Sequence, residues 1–180
     1  MIKIRYREKW RIWLTALLLS LLIRQGNSAA STKAVTRKTV VNYYYLLPDS
    51  YFEHSGSKTE RKGMLSAANS ISDLKNDYIR VQLDALGTLE VAVFRYKGRD
   101  LIAVRRYYEG CMLWFFRYQE GRWKDVTKQI MPVAFNRKYD YVLPRYGTTI
   151  QVRRDLWPSE NRGRKIYDLI WRKGRFQVRD

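Results

Sequence analysis

Few side chains in this sequence could do chemistry. His54 is the only histidine and Cys111 the only cysteine in 180 residues. A Ser–His–acid triad would have to use His54, which sits in a polar stretch, and no Gly-x-Ser-x-Gly elbow stands near a strand–helix junction. His54 therefore reads as a solvent-exposed loop residue. Cys111 lies in the apolar run Cys111-Met112-Leu113-Trp114-Phe115-Phe116, with no neighbouring histidine to activate its thiol. It is expected to act as a small buried hydrophobe.

Zinc needs three or four His, Cys or acidic ligands at close spacing, and none cluster here. Asp73-Leu74-Lys75-Asn76-Asp77 faintly resembles an oxygen-ligand loop but lacks the glycine and distal glutamate of an EF-hand. It reads as a turn before a strand. There is no phosphate-cradling glycine loop and no dinucleotide fingerprint. No residue is thus assigned a catalytic, cofactor-binding or metal-ligating role, and no cofactor is expected. A small periplasmic enzyme whose carboxylates converge only in space is the alternative. The acids, however, scatter near turns without an apolar setting that would raise a pKa.

The remaining chemistry is charge. The chain holds 35 Lys+Arg against 17 Asp+Glu, a net +18. Arg95-Tyr96, Arg106-Tyr107, Arg117-Tyr118 and Arg145-Tyr146 interleave cations with aromatics. Single-stranded nucleic acid asks for such a pattern, with phosphate contacts beside stacking platforms, and a nucleic-acid binder is a further alternative. Strand length alone would also produce it, sending Arg and Tyr to opposite faces of a sheet.

The N-terminus decides which partner the charge can meet. Lys3, Arg5, Arg7, Lys9 and Arg11 precede the 12-residue apolar run Ile12–Ile23, and Arg24 to Ala30 supply small residues at a cleavage site near Ala29/Ala30. A basic n-region, a short h-region and a small-residue site make residues 1–30 a secretory signal peptide. The run falls short of the ~20 residues of a membrane span, so no transmembrane span is expected beyond this signal segment. An uncleaved anchor is the competing reading, because Arg24 directly follows the apolar run. Residues 1–30 hold six basic residues and one acid, so the rest keeps 29 basic and 16 acidic residues, a net +13. The protein is expected to be secreted or periplasmic and non-enzymatic. It would bind an anionic polymer, an envelope surface or a protein partner, with nucleic acid disfavoured by compartment.

The elements that must position these charges are strands. Residues 31–41 read as a flexible leader, and 42–180 as one β-rich domain. Asn42–Phe52 reads as a first strand, 53–63 as a loop, and about 60–76 as one short helix from the spacing of Met64, Ala68, Ile71 and Leu74. Gly87, Gly98, Gly110 and Gly121 fall 11, 12 and 11 residues apart, the mark of short antiparallel strands joined by tight turns. Strands are expected at about 78–84, 89–96, 101–108, 112–118, 122–126, 149–154, 165–172 and 175–179. The stretch 132–148 is expected to be a long ordered loop or an irregular edge, and 157–163 another loop.

Two-residue turns at 98–99, 109–110, 120–121 and 173–174 would fix the register. One face would then carry Val91, Val93, Ile102, Val104, Leu113, Phe115 and Val126, rimmed by Arg95, Arg106, Arg117 and Lys124. The other would carry Phe94, Tyr96, Tyr107, Trp114, Phe116, Tyr118 and Trp123, with Ala92, Ala103 and Arg105 among them. The aromatic face is too apolar to lie open, and the rest of the chain is expected to cover it. The fold class expected is all-β with one short helix, an antiparallel meander closed as a small barrel or lying as a covered sheet.

Overall fold

The computed structural model describes residues 37–52, 57–83, 87–108, 110–154 and 163–180. Residues 1–30, expected to be a signal segment, most of the expected leader, His54 and most of the 157–163 loop lie outside these residues.

The first described element is a helix, where the sequence suggested a strand. Helix α1 (Val40–Leu46) opens with a capping box: Thr39 Oγ1 accepts from Asn42 N at 3.3 Å, and Asn42 Oδ1 accepts from Thr39 N at 2.8 Å. Val40, Tyr43, Tyr44 and Leu47 are the buried positions. Their i, i+3, i+4, i+7 spacing is helical, and it overrides the strand preference of three consecutive tyrosines. Val40 is fully buried and Lys38–Asp180 forms one compact unit, so residues 38–41 belong to the domain rather than to a leader.

Helix α2 (Lys58–Ser66) also starts with a capping box, between Ser57 and Glu60. It replaces the N-terminal half of the expected 60–76 helix and part of the expected 53–63 loop. The C-terminal half becomes strand β1 (Ile71–Asp73) and a 3-10 turn (Leu74–Asn76). Arg61, 3% exposed, ties the two helices together. Its Nη1 donates to Leu47 O at 2.6 Å and Tyr45 O at 2.9 Å, its Nη2 pairs with Asp49, and its guanidinium lies 4.1 Å above the Phe52 ring. A buried cation thus satisfies the free carbonyls at the end of α1.

The remaining strands are β2 (Tyr78–Gln82), β3 (Thr88–Tyr96), β4 (Arg99–Tyr108), β5 (Gly110–Gln119), β6 (Arg122–Asp125), β7 (Tyr139–Val142), β8 (Thr149–Arg154), β9 (Lys165–Arg172) and β10 (Arg175–Arg179), with the short helix α3 (Thr127–Ile130) after β6. The protein is mostly β, built from two antiparallel sheets. One is a six-stranded meander β1 to β6, and the other has the order β10-β9-β8-β7. Neither closes into a barrel. The covered-sheet form of the expected fold is the one realised, and β7, in the stretch expected to be a long loop or an irregular edge, is an edge strand of the second sheet.

Three hairpins turn through a left-handed pair: Lys97-Gly98, Glu120-Gly121 and Lys173-Gly174, all six residues at positive φ. The first is displaced from the expected 98–99, so Arg95 pairs with Asp100 and Val93 with Ile102. That shift keeps each residue on its expected face. The β4–β5 turn does not. Tyr107 pairs with Cys111 and Tyr108 with Gly110, a slip of one residue that sends every side chain of β5 to the opposite face. Leu113 and Phe115 join Ala92, Phe94, Leu101 and Ala103 against the second sheet, where Tyr141, Ile150, Val152, Leu169 and Phe176 meet them. Trp114, Phe116, Tyr118 and Trp123 instead join Val91, Ile102 and Val104 under α1 and the 3-10 turn Asp49–Tyr51. Both faces of the large sheet are therefore covered, giving three layers: helices, six strands, four strands.

Arg105, on β4, crosses the core between the sheets. Its Nη1 lies 3.0 Å from Glu90 Oε2 on β3, and its Nη2 is 2.6 Å from Asp140 Oδ1 on β7. Tyr78 also hydrogen-bonds Glu90, and burial pushes its phenol up. Replacing Arg105 with Met strands two carboxylates and is expected to cost about 3–5 kcal/mol in urea unfolding. The triple variant Arg105→Met, Glu90→Leu, Asp140→Leu should recover most of that loss. A single variant as stable as the wild type would contradict the bridge.

Asp168 is a second buried acid, 3.0 Å from Arg179 Nη2 and 3.1 Å from Lys165 Nζ. The Arg179 hydrogen bond, followed by the Lys165 contact, holds its carboxyl below the usual range. A depressed folded pKa adds stability above the unfolded value of about 3.9 and loses it as pH falls through the folded value. The Tm difference between wild type and Asp168→Asn should be widest near neutral pH and shrink below about pH 4. A constant gap would refute the linkage.

Candidate functional site

The arginines expected to form one rim are parted by the register of β5 and by ion pairing. Arg95 lies on the helix side of the sheet and is fully engaged. Its Nε and Nη2 grip Asp77 at 2.6 and 2.7 Å, its Nη1 reaches Asp100 Oδ2 at 2.6 Å, and Nη2 also donates to Lys38 O at 3.0 Å. Tyr43 donates to the same Asp100 oxygen at 2.9 Å. Arg145 pairs with Asp73 at 2.9 Å and lies over the Tyr146 ring. Asp73 is held below the usual carboxylate range, chiefly by its hydrogen bond from Asn76 and then by Arg145.

The Asp73–Asp77 stretch is thus the turn it was read as. Asp73 caps the 3-10 turn, and Asp77, at φ 53°, ends that turn just before β2 and clasps Arg95. Among the described residues no three His, Cys, Asp or Glu gather as a metal group. Acids converge in pairs at Arg95 (Asp77 with Asp100) and at Arg105 (Glu90 with Asp140), and a guanidinium occupies the space between them each time. Such pairs are spent on holding strands together.

Arg117 is differently placed. The slip at the β4–β5 turn puts it on the side of the second sheet, across from Lys124 on β6. There it lines a cleft of about 150 Å³ with Tyr96, Arg99, Asp100, Leu101, Trp171, Lys173 and Gly174. Two hairpin turns build this cleft. Lys97-Gly98 delivers Tyr96 and Arg99, which are directly paired, and Lys173-Gly174 delivers Trp171 and Lys173 from the other sheet. Gly174, at φ +80°, sits in a conformation that disfavours a side chain, and a Cβ there would stand 3.0 Å from the Tyr96 ring, which would have to give way. The Trp171 indole donates to Arg95 O at 3.4 Å, fixing it as a wall. Among the described residues the side chains of Arg99, Arg117 and Lys173 have no ion-pair or hydrogen-bond partner, and the one acid in the cleft, Asp100, is already held by Arg95 and Tyr43.

Sequence reasoning placed Arg117 in a rim, counted Arg172-Lys173 as further charge, and read Arg99 only as a turn residue. Their turn signals were legible, but the meeting of turns from two sheets is a tertiary contact. Trp114 and Trp123 are covered by the chain itself: Tyr51 packs edge-on against Trp114, and Tyr43 against Trp123, whose indole donates to Leu46 O at 2.9 Å. Among the described residues the rings left exposed are Tyr146, under Arg145, and Tyr108.

Comparison with protein-family models, with curated proteins and with solved structures finds no match to this chain.

Cys111 is 2% exposed and faces the second sheet. Burial pushes its thiol up to about 11. At pH 8 only about one thiol in a thousand is then ionised. Iodoacetamide at pH 8 should leave the folded protein unlabelled for hours and label it fully in guanidinium. Equal rates in both would rule out a buried thiol.

Proposed function

We propose that this is an exported, non-enzymatic binding domain that holds an anionic polymer of a cell envelope at the Arg99–Arg117–Lys173 cleft. Three cations whose side chains have no partner among the described residues, gathered around a small aromatic-walled cleft, carry this reading. About 150 Å³ is too little for a drug-sized ligand, which takes roughly 300–1,000 Å³. It suits one phosphate, sulfate or carboxylate group of a polymer lying across the surface. The net charge of +13 beyond residue 30 supports the same class of partner by long-range attraction. The basic leader and apolar run of residues 1–30 support export. No helix among the described residues is long and apolar enough to cross a membrane.

Heparin, a sulfated polymer, is the probe. The Arg99→Glu/Arg117→Glu/Lys173→Glu variant should bind at least tenfold more weakly and elute from heparin at lower salt. A charge-matched control, Lys58→Glu/Lys62→Glu/Lys75→Glu, changes net charge equally at exposed sites outside the cleft and should keep most of the affinity. Equal losses in the two variants would reduce the binding to net charge and sink the cleft.

A further inference from the structure

The backbone of β5 is only half paired on its outer side. β6 takes residues Phe116–Gln119, and Val126 N and Thr127 Oγ1 then bond Phe115 O at 2.8 Å and Phe115 N at 2.9 Å. N–H and C=O of one strand residue point to the same side, and the side alternates along the strand. Phe115 therefore points outward, as do Leu113 and Cys111. The β3–β4 hairpin gives the same parity from the other direction. Tyr96 closes against Arg99, so the even residues of β4, among them Val104 and Arg106, bond to Trp114 and Met112. Among the described residues no hydrogen bond is made to the outward N–H and C=O of Leu113 or Cys111. These four groups face a slot.

Two adjoining openings of about 470 and 270 Å³ form that slot, sharing Met112 and Arg137 as walls. Met112 and Trp114 stand on one side of the sheet plane, Phe135 and Arg137 on the other, and α3 with Lys128 stops the slot at Phe115. Gly110–Trp114 spans about 17 Å at the usual strand rise, room for four or five residues. The other outer strands are guarded in the usual ways. β1 has three residues and β7 four, β6 reads Arg-Trp-Lys-Asp, and β10 places Arg175 and Arg179 at its edge. Gly110–Trp114 carries no charge and no proline, and Met112 is 41% exposed.

We propose that this slot takes an extended, acidic segment of a partner protein as an added β-strand, paired to Cys111 and Leu113 and flanked by Lys128 and Arg137. Backbone pairing supplies affinity, and alternate side chains supply selection. One row of the incoming strand meets Met112 and Trp114, the other meets Phe135 and Arg137. Lys128 and Arg137 have no protein partner among the described residues and match acids. A second copy of this chain would bring like charge, a net +13 beyond residue 30. The slot is independent of the Arg99–Arg117–Lys173 cleft, since Leu113 lies four residues from Arg117 along β5.

The probe is an acetylated, amidated Glu-Val-Glu-Val-Glu-Val peptide titrated into the ¹⁵N-labelled protein. The expected result is saturable binding, with shifted and exchange-protected Leu113 and Cys111 amides. Of two peptides, one N-methylated on its valines and one on its glutamates, a single form should lose at least tenfold in affinity, because only alternate amides face β5. Lys128→Glu/Arg137→Glu should weaken binding at least tenfold, whereas Lys58→Glu/Lys62→Glu should not.

Equal binding by both methylated peptides, or none by the parent, overturns strand addition. Leu113 protection in a peptide-free dimer would assign the slot to a second copy and also overturn it. Loss of peptide binding in the Arg99→Glu/Arg117→Glu/Lys173→Glu variant would move the peptide to the basic cleft, sinking the slot while leaving the cleft standing.

Discussion

Arg105 is the constraint around which the two sheets are built. A guanidinium in the core is tolerable only when carboxylates meet it, and it draws one from a neighbouring strand and one from the opposite sheet. Asp140 must come from β7, so the stretch after α3 has to fold back under β5 before the second sheet can begin. That return brings Tyr141 beneath Cys111 and Phe135 beside the Tyr141 ring, and so makes the lower wall of the β5 slot. Apolar burial supplies most of the driving force for packing the sheets, but it is indifferent to small slides between them. The buried ion pairs are not.

Charge is divided by the same logic. Asp49, Asp73, Asp77, Glu90, Asp100, Asp140 and Asp168 each face an arginine or lysine that joins elements distant in sequence or strands side by side. With twice as many cations as acids in the chain, this use of the acids leaves surplus positive charge at the turns and around the two openings. The basicity that looked like a general property of the sequence becomes local. Arg95 and Arg105 are structural, while Arg99, Arg117, Lys173, Lys128 and Arg137 face solvent beside concave surface.

The β-meander was legible because glycine at positive φ is a local requirement, satisfied within two residues, and strands between such turns alternate visibly. Both α-helical starts carry capping boxes, Thr39–Asn42 and Ser57–Glu60, local signals that the strand reading of Asn42–Phe52 and the loop reading of 53–63 left unused. The run Tyr43-Tyr44-Tyr45 has strand preference, but Tyr43 and Tyr44 are buried at helical spacing. The face assignment failed for one reason. A turn one residue shorter than Glu109-Gly110 implied reversed β5, and no local signal separates a two-residue connection from a tighter one at that position.

By itself the sequence determined the fold class, the hairpins and the surplus of cations, because each depends on neighbours within a few residues. Tertiary structure alone decided which arginines are spent. A cation and the acid that neutralises it are here as far apart as 35 residues for Arg105 and Asp140, or 72 for Asp73 and Arg145. It also decided where β6 stops along β5. Pairing between strands and between sheets is a matter of proximity in space, and no composition or periodicity carries that information.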